Sequence, residues 1–245
     1  MADAGPALKR FWKTESVERT ESGWEIRLDG RPVRTPGRMP LAVPTQAMAD
    51  AIAEEWRAVA EDIDPRAMPL TGLANAAIDR IAPDPRTFAA GLARYGESDL
   101  LCYRSDHPVL LRERQDRVWD GPLDWARSRY DVHFEIVTGI MHRDQPQATL
   151  ARLADAITAR DAFELAALSQ VVTITGSLVL ALALAERALD ADAVWAAANL
   201  DEDWQIEQWG EDMFATQARA VRQADYDAAV RFLGLTASKR DIPVV

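Results

Sequence analysis

The sequence predicts an α+β protein: a small N-terminal antiparallel β-sheet domain with packed helices, followed by an all-α helical bundle domain. Three observations predict it. Residues 11–45 alternate apolar and polar side chains at the strand period with turn residues between them. From residue 84 onward apolar residues recur at helical spacing instead. Between these regions lies a stretch bounded by Pro83 and Pro85, so the expected domains are 1–82 and 83–245.

In the first domain Trp24, Ile26 and Leu28 alternate with Glu25 and Arg27, and Asp29-Gly30 supplies the pair best suited to a tight hairpin turn. Ser22-Gly23 marks an earlier turn. Val33, Leu41 and Val43 continue extended segments, while Pro32, Pro36 and Pro40 restrict these to edges or bends. Thr45 is placed as an N-cap, and Met48, Ile52, Trp56 and Val59 then give a helix able to cover the sheet. A second helix carries Leu70, Leu73, Ala77 and Ile81 and ends at the prolines.

The second domain opens with a helix from Asp84-Pro85 carrying Phe88, Leu92 and Tyr95. Residues 107–130 are expected to form two helices broken at Gly121-Pro122. "DLLCYR" fits either a short buried strand or a final helical turn, "HFEIV" a short extended piece, and "QATLARLADAITAR" another helix. Asp161 and Glu164 resemble a capping box opening one long helix to about Ala188. Its stretch from Val171 to Ala185 is apolar or small on every side, yet shorter than the roughly 20 residues that cross a bilayer. It is expected to be the central helix of the bundle, with Gly176 and Ser177 allowing close backbone approach.

The chain has 245 residues, 48% hydrophobic and 27% charged, enough to bury a substantial core. Its net charge of -11 and pI near 4.8 oppose binding to phosphate backbones or anionic lipid, so neither nucleic acid nor membrane insertion is expected. A single cysteine, Cys102, rules out an internal disulfide framework and reads as a small core hydrophobe in a reducing compartment. The N-terminal "MADAGPALKRFWK" lacks the apolar run of a secretory signal, and the expected location is cytoplasmic.

Catalytic and metal-binding signatures are not found in the sequence. The three histidines His107, His133 and His142 are far apart, no Glu-x-x-His pair occurs, and one cysteine cannot build a zinc cluster. Neither GxxxxGK(S/T) nor GxGxxG is present, and no serine sits in a nucleophile elbow. Glu54-Glu55 reads as a solvated helix face. No catalytic residue, cofactor or metal site is therefore expected.

The stretch "LDEDWQIEQWGEDMF" is the strongest functional candidate. Treated as part of one helix over 193–222, it places Trp195, Asn199, Glu202, Ile206, Trp209 and Met213 along one line. Glu202 then sits on an apolar stripe and must find an arginine or several donors, shift its pKa upward, or open onto a groove. Trp204 falls opposite, among Leu200, Glu207 and Glu211, which is the composition of a binding patch with an aromatic anchor. Glu202, Trp204, Glu207 and Trp209 are the candidate partner-binding residues. The competing use of such acids is a carboxylate-lined cleft of a metal-dependent hydrolase, which would require a stoichiometric divalent ion.

"LDGRPVRTP", "AIAEEW" with "MPLT" and "LANAAIDR", "SDLLCYR", "LDWARSRY" and "LDEDWQIEQWG" occur in this order across nearly the whole chain. Together they closely resemble the family of ATP synthase assembly chaperones that bind the alpha subunit of the soluble catalytic sector, found in mitochondria and alphaproteobacteria. The resemblance implies a non-enzymatic chaperone of sheet-plus-helix and helical domains. Its implied client is the free alpha subunit, shielded on the surface that later meets a beta subunit. It also implies a functional glutamate in an "LEEEYQ"-like motif, corresponding to Glu202, with Asp201, Asp203 and Trp204 standing for the family's Glu, Glu and Tyr. The chain is expected to be the bacterial member, or a matrix protein if it is a processed eukaryotic one.

Overall fold

The structure, a computed structural model, describes residues 9–139 and 141–236. The sequence before Lys9, read for a leader, and that after Thr236 lie outside the described residues. The chain forms two compact units. Among the described residues one comprises 9–84, Ala162–Ala167 and 227–236; the other comprises those of Pro85–Asp161 and Leu168–Tyr226. The division by sequence kept all of 83–245 together, whereas the compact units interleave.

In the first unit β1 (Glu15–Thr20) pairs antiparallel with β2 (Gly23–Leu28), which also pairs with the short β3 (Arg31–Pro32) and β4 (Ala42–Val43). Leu28 faces Arg31 across Asp29-Gly30, whose positive φ values of 49° and 76° make the two-residue hairpin turn anticipated for this pair. α1 (Gln46–Ala58) lies against the sheet and buries Met48, Ala49 and Ile52 over Ile26 and Leu28. Thr45 caps it, accepting from Met48 N at 3.2 Å.

α2 (Pro69–Ala76) starts with a proline and has no cap of its own. Glu55 supplies one from α1: its carboxylate accepts from Leu70 N at 2.7 Å, Thr71 N at 2.8 Å and Thr71 Oγ1 at 2.7 Å. Only half of the expected solvated Glu54-Glu55 face is therefore solvated. Adjacent helical residues point apart, which turns Glu55 inward while Glu54 stays exposed and pairs with Arg231 at 3.3 Å. A π-helical turn, Ala77–Ile81, follows α2. Its Asp79 accepts from Thr35 Oγ1 at 2.6 Å and Gly37 N at 2.7 Å, and a Cβ on Gly37 would lie only 2.6 Å from that carboxylate.

The second unit contains α3 (Pro85–Ala93), the two-residue β5 (Tyr103–Arg104), α4 (Val109–Tyr130), β6 (Val137–Thr138) and α5 (Gln147–Thr158). "DLLCYR" is both alternatives in sequence, a 3-10 turn over Leu100–Cys102 running into β5, which pairs parallel with β6. Cys102 is fully buried, and burial pushes its thiol up to about 12. α4 runs unbroken through Gly121-Pro122, correcting the expected pair of helices. Pro122 is buried inside it, and neither a helix-stopping conformation nor a new cap follows.

The long apolar helix is likewise corrected, in the opposite sense. It is two helices, α6 (Ala162–Thr175) and α7 (Leu178–Ala185). Gly176 sits at φ +65°, so it ends α6 rather than easing close packing, and Ser177 Oγ starts α7 by accepting from Leu180 N at 3.0 Å. Every residue from Leu178 to Leu184 is buried. At the break Asp99, fully buried, accepts from Leu101 N at 3.1 Å and Val179 N at 3.0 Å. Desolvation outweighs those bonds and raises its carboxyl to about 6. Among the described residues no helix is long and apolar enough to cross a membrane.

α8 (Ala191–Ala198), α9 (Leu200–Trp209) and α10 (Met213–Thr236) complete the chain. The last turns of α10 belong to the first unit, where Phe232 stacks on Phe163 at 6.4 Å and Leu235 O accepts from Thr45 Oγ1 at 2.8 Å.

Candidate partner-binding site

The single helix expected over 193–222 is three helices, with breaks the wheel could not represent. Asn199 closes α8, its Nδ2 donating to Trp195 O at 2.8 Å, and Gly210 at φ +84° closes α9. Asp212 then opens α10 by accepting from Ala215 N at 2.9 Å. The apolar line through Trp195, Glu202 and Met213 therefore does not exist as one buried stripe. Leu200 is buried, Ile206 is half-buried and Trp209 is 79% exposed.

α9 is held by its acids on two sides. Towards α4, Gln115 Nε2 donates to Asp201 at 2.7 Å, and Arg114 donates to both oxygens of Glu207 at 2.7 and 2.8 Å. Trp119 of α4 donates to Ala197 O at 2.8 Å in the preceding helix. Descending α4 from residue 119 to 114 thus follows the ascent from 197 to 207, which makes the two runs antiparallel. Towards α10, Arg222 reaches Glu202 at 2.5 Å and Arg219 reaches Asp203 at 2.5 Å. Residue 203 opposite 219 and 202 opposite 222 define a helical hairpin folded at Gly210. Arg219 also lies 5.9 Å from the Trp195 ring centroid, and Trp195 packs on Tyr226.

The predicted residues therefore divide by role. Glu202 does meet an arginine, Arg222 of this chain, and is half-buried by the hairpin. Glu207 is bound to Arg114, and Trp204 is half-buried. Of the two tryptophans, Trp209 projects into solvent and Trp204 does not. Sequence reasoning missed that Met213 and Phe214 join it, 76% and 74% exposed, just beyond the turn. The signal was present: a glycine followed two residues later by an aspartate is a helix stop and a helix start. Among the described residues no group of three or more histidine, cysteine, aspartate or glutamate side chains could hold a metal ion.

Comparison with known proteins gives the class first: this is a chaperone of α+β build acting in ATP synthase assembly. Residues 9–127 match the family described as ATP12 chaperone protein. The crystal structure of Atp12 from Paracoccus denitrificans is 43% identical with a TM-score of 0.89, covering 93% of this chain and 98% of that one. The Atu1473 protein of Agrobacterium tumefaciens is 44% identical with a TM-score of 0.88, covering 93% of this chain and 86% of that one. The mitochondrial protein atp12 of Schizosaccharomyces pombe is 24% identical over 217 residues, 84% of this chain and 75% of the relative. The chain belongs to the ATP12 chaperone family.

Proposed function

We propose that this chain is a non-enzymatic chaperone that binds the free alpha subunit of the ATP synthase catalytic sector. It shields the surface that later meets a beta subunit until the hexamer forms, and it works in the cytoplasm. Family membership supports the assembly role. The structural observation that carries the binding reading is the hairpin of α9 and α10. Four carboxylates of α9 are engaged by this chain's own Arg114, Gln115, Arg219 and Arg222, while large apolar side chains at its turn stay open to solvent. Acids already bonded internally are poor candidates for metal or proton chemistry, and exposed clustered hydrophobes suit a protein partner.

In this reading Glu202 and Glu207 hold α9 in place, and Trp204 and Trp209 contribute aromatic surface. The test is capture with separately expressed alpha and beta subunits and with assembled hexamer. A stable complex with free alpha alone is expected. Equal capture of the intact hexamer, whose alpha-beta contacts already cover the client surface, overturns shielding.

A further inference from the structure

α10 is unusual in its first three turns. From Met213 to Ala218 every residue is exposed, as is every residue from Ala220 to Asp225, so that Arg219 is the one partly covered position. Yet the stretch reads "MFATQARAVRQAD", with four alanines and a valine besides its methionine and phenylalanine. A helix in water ordinarily gains its stability by burying an apolar face. Here, among the described residues, the inward contacts are made by Arg219 and Arg222, which clamp Asp203 and Glu202, with Arg219 also lying over the Trp195 ring. At about 100° per residue, Arg219 and Arg222 share one side of the helix, and Met213, Ala220, Val221 and Phe214 cluster within about 70° of the opposite direction. The hairpin is closed by ion pairs, and its apolar face is turned outward.

The charges around this face are one-sided. Residues 200–222 contain six carboxylates and two arginines, and both arginines are spent on α9. Glu211 and Asp212 border the tip, and Asp225 is exposed farther along the helix. A shallow groove of about 520 Å³ lined by Glu211, Met213, Thr216, Gln217 and Ala220 runs along the helix. A second copy of this chain would bring acidic rim against acidic rim, and anionic lipid would be repelled in the same way. The fitting occupant is an apolar protein surface bordered by cations. Surfaces that become buried in obligate oligomers are apolar in this manner before assembly.

We infer that the outward face of α10, with Met213, Phe214 and Val221 continuing from Trp209, is the surface that seats the client. Its complement is an apolar subunit-interface face flanked by lysine or arginine. This rests on the proposed alpha-subunit role and refines it: the acids of α9 are positioning residues that present α10, and the contacts are apolar. Aromatic side chains of this size offer about 150–250 Å² each, so a few anchors suffice for a specific site.

The test uses the full chain and purified alpha subunit. Met213→Gln, Phe214→Gln and Val221→Gln in combination keep good helix formers on an exposed face, so circular dichroism and melting temperature should match the unaltered protein. Affinity for alpha subunit should fall at least about 30-fold, given that a few anchors carry most of an interface's energy. Glu211→Lys should weaken capture about threefold or more and flatten its dependence on salt. If the unaltered chain captures alpha and the triple variant captures it equally, this surface assignment is overturned while the chaperone reading stands. If the unaltered chain captures no alpha subunit, both fall. A dimer in sedimentation that the triple variant abolishes also overturns the inference, since the occupant would then be a second copy.

Discussion

α7 and the first half of α10 are both short helical stretches rich in alanine and large hydrophobes within one compact unit, yet they meet opposite fates. "LVLALALA" is buried from Leu178 through Leu184, whereas Met213, Phe214 and Val221 are 76%, 74% and 59% exposed. Composition therefore does not decide burial here. What differs is how the ends are anchored. α7 begins on buried groups, Ser177 and Asp99, that satisfy its first N–H groups and commit it to the interior. α10 begins on the exposed Asp212 and is tied to α9 by Arg219 and Arg222, which at helical spacing lie on the side opposite Met213 and Val221. Among the described residues nothing covers this apolar face, and such a face suits a protein partner.

The largest effect that would break the comparison is in α7. Leu182→Ala removes a fully buried side chain and should cost about 2–5 kcal/mol in urea unfolding, because the lost transfer energy adds to that of the cavity left behind. A cost below about 1 kcal/mol would mean that α7 is no more a core element than α10.

Asp99 comes next. Its folded value of about 6 lies above the ordinary 3.8, so the folded state holds a proton that the unfolded state releases between those values. Its contribution is most favourable below about pH 4, declines as pH rises through 6 and is flat above, a change of roughly 3 kcal/mol at 1.36 kcal/mol per unit. Stability measured from pH 4 to 7 should lose this slope in Asp99→Asn. An unchanged slope would show that the break between α6 and α7 does not hold an ionisable latch.

A smaller effect is expected at the hairpin. Glu202→Lys removes the partner of Arg222 and sets a cation beside it, with Arg219 close by on α10. Both members of the pair are partly exposed, 28% and 44%, so solvent screening limits the global cost to about 0.5–1 kcal/mol. The local consequence should be larger. Amide exchange across 213–222 should quicken, and client capture should weaken because its seat is no longer presented. Unchanged exchange would remove the positioning role from Glu202.

The same contrast explains which features were legible in the sequence. The Asp29-Gly30 hairpin, the Thr45 cap and buried Cys102 are local or nearly local decisions, and each could be read from its own residues. The helix breaks at Gly176 and Gly210 were missed because isolated glycines were read as packing or permitted helix residues. In both cases a cap residue, Ser177 or Asp212, follows within two positions and restarts the helix. Gly121-Pro122 has no such cap, and α4 continues through it. Glu202's need for an arginine was legible. That its partner is Arg222 was not, because the pairing exists only once Gly210 folds α10 back along α9.

The smallest predicted effect is the most direct counterpart to Leu182. Phe214 is as large as Phe232, one of the largest side chains of the core, yet it is 74% exposed. Its truncation leaves almost no cavity, and alanine is the better helix former by about 0.5 kcal/mol. Phe214→Ala should therefore leave unfolding stability within about 0.5 kcal/mol and, if it moves at all, move it upward. A loss of 2 kcal/mol or more in urea unfolding would mean that Phe214 packs within this chain in solution. The outward face of α10 would then be part of the fold, and the distinction between the two helices would collapse. If stability holds while affinity for alpha subunit falls, the side chain has no structural work to perform and its size is explained by the client. That combination cannot arise from a core residue, whose loss of binding would be accompanied by a loss of stability.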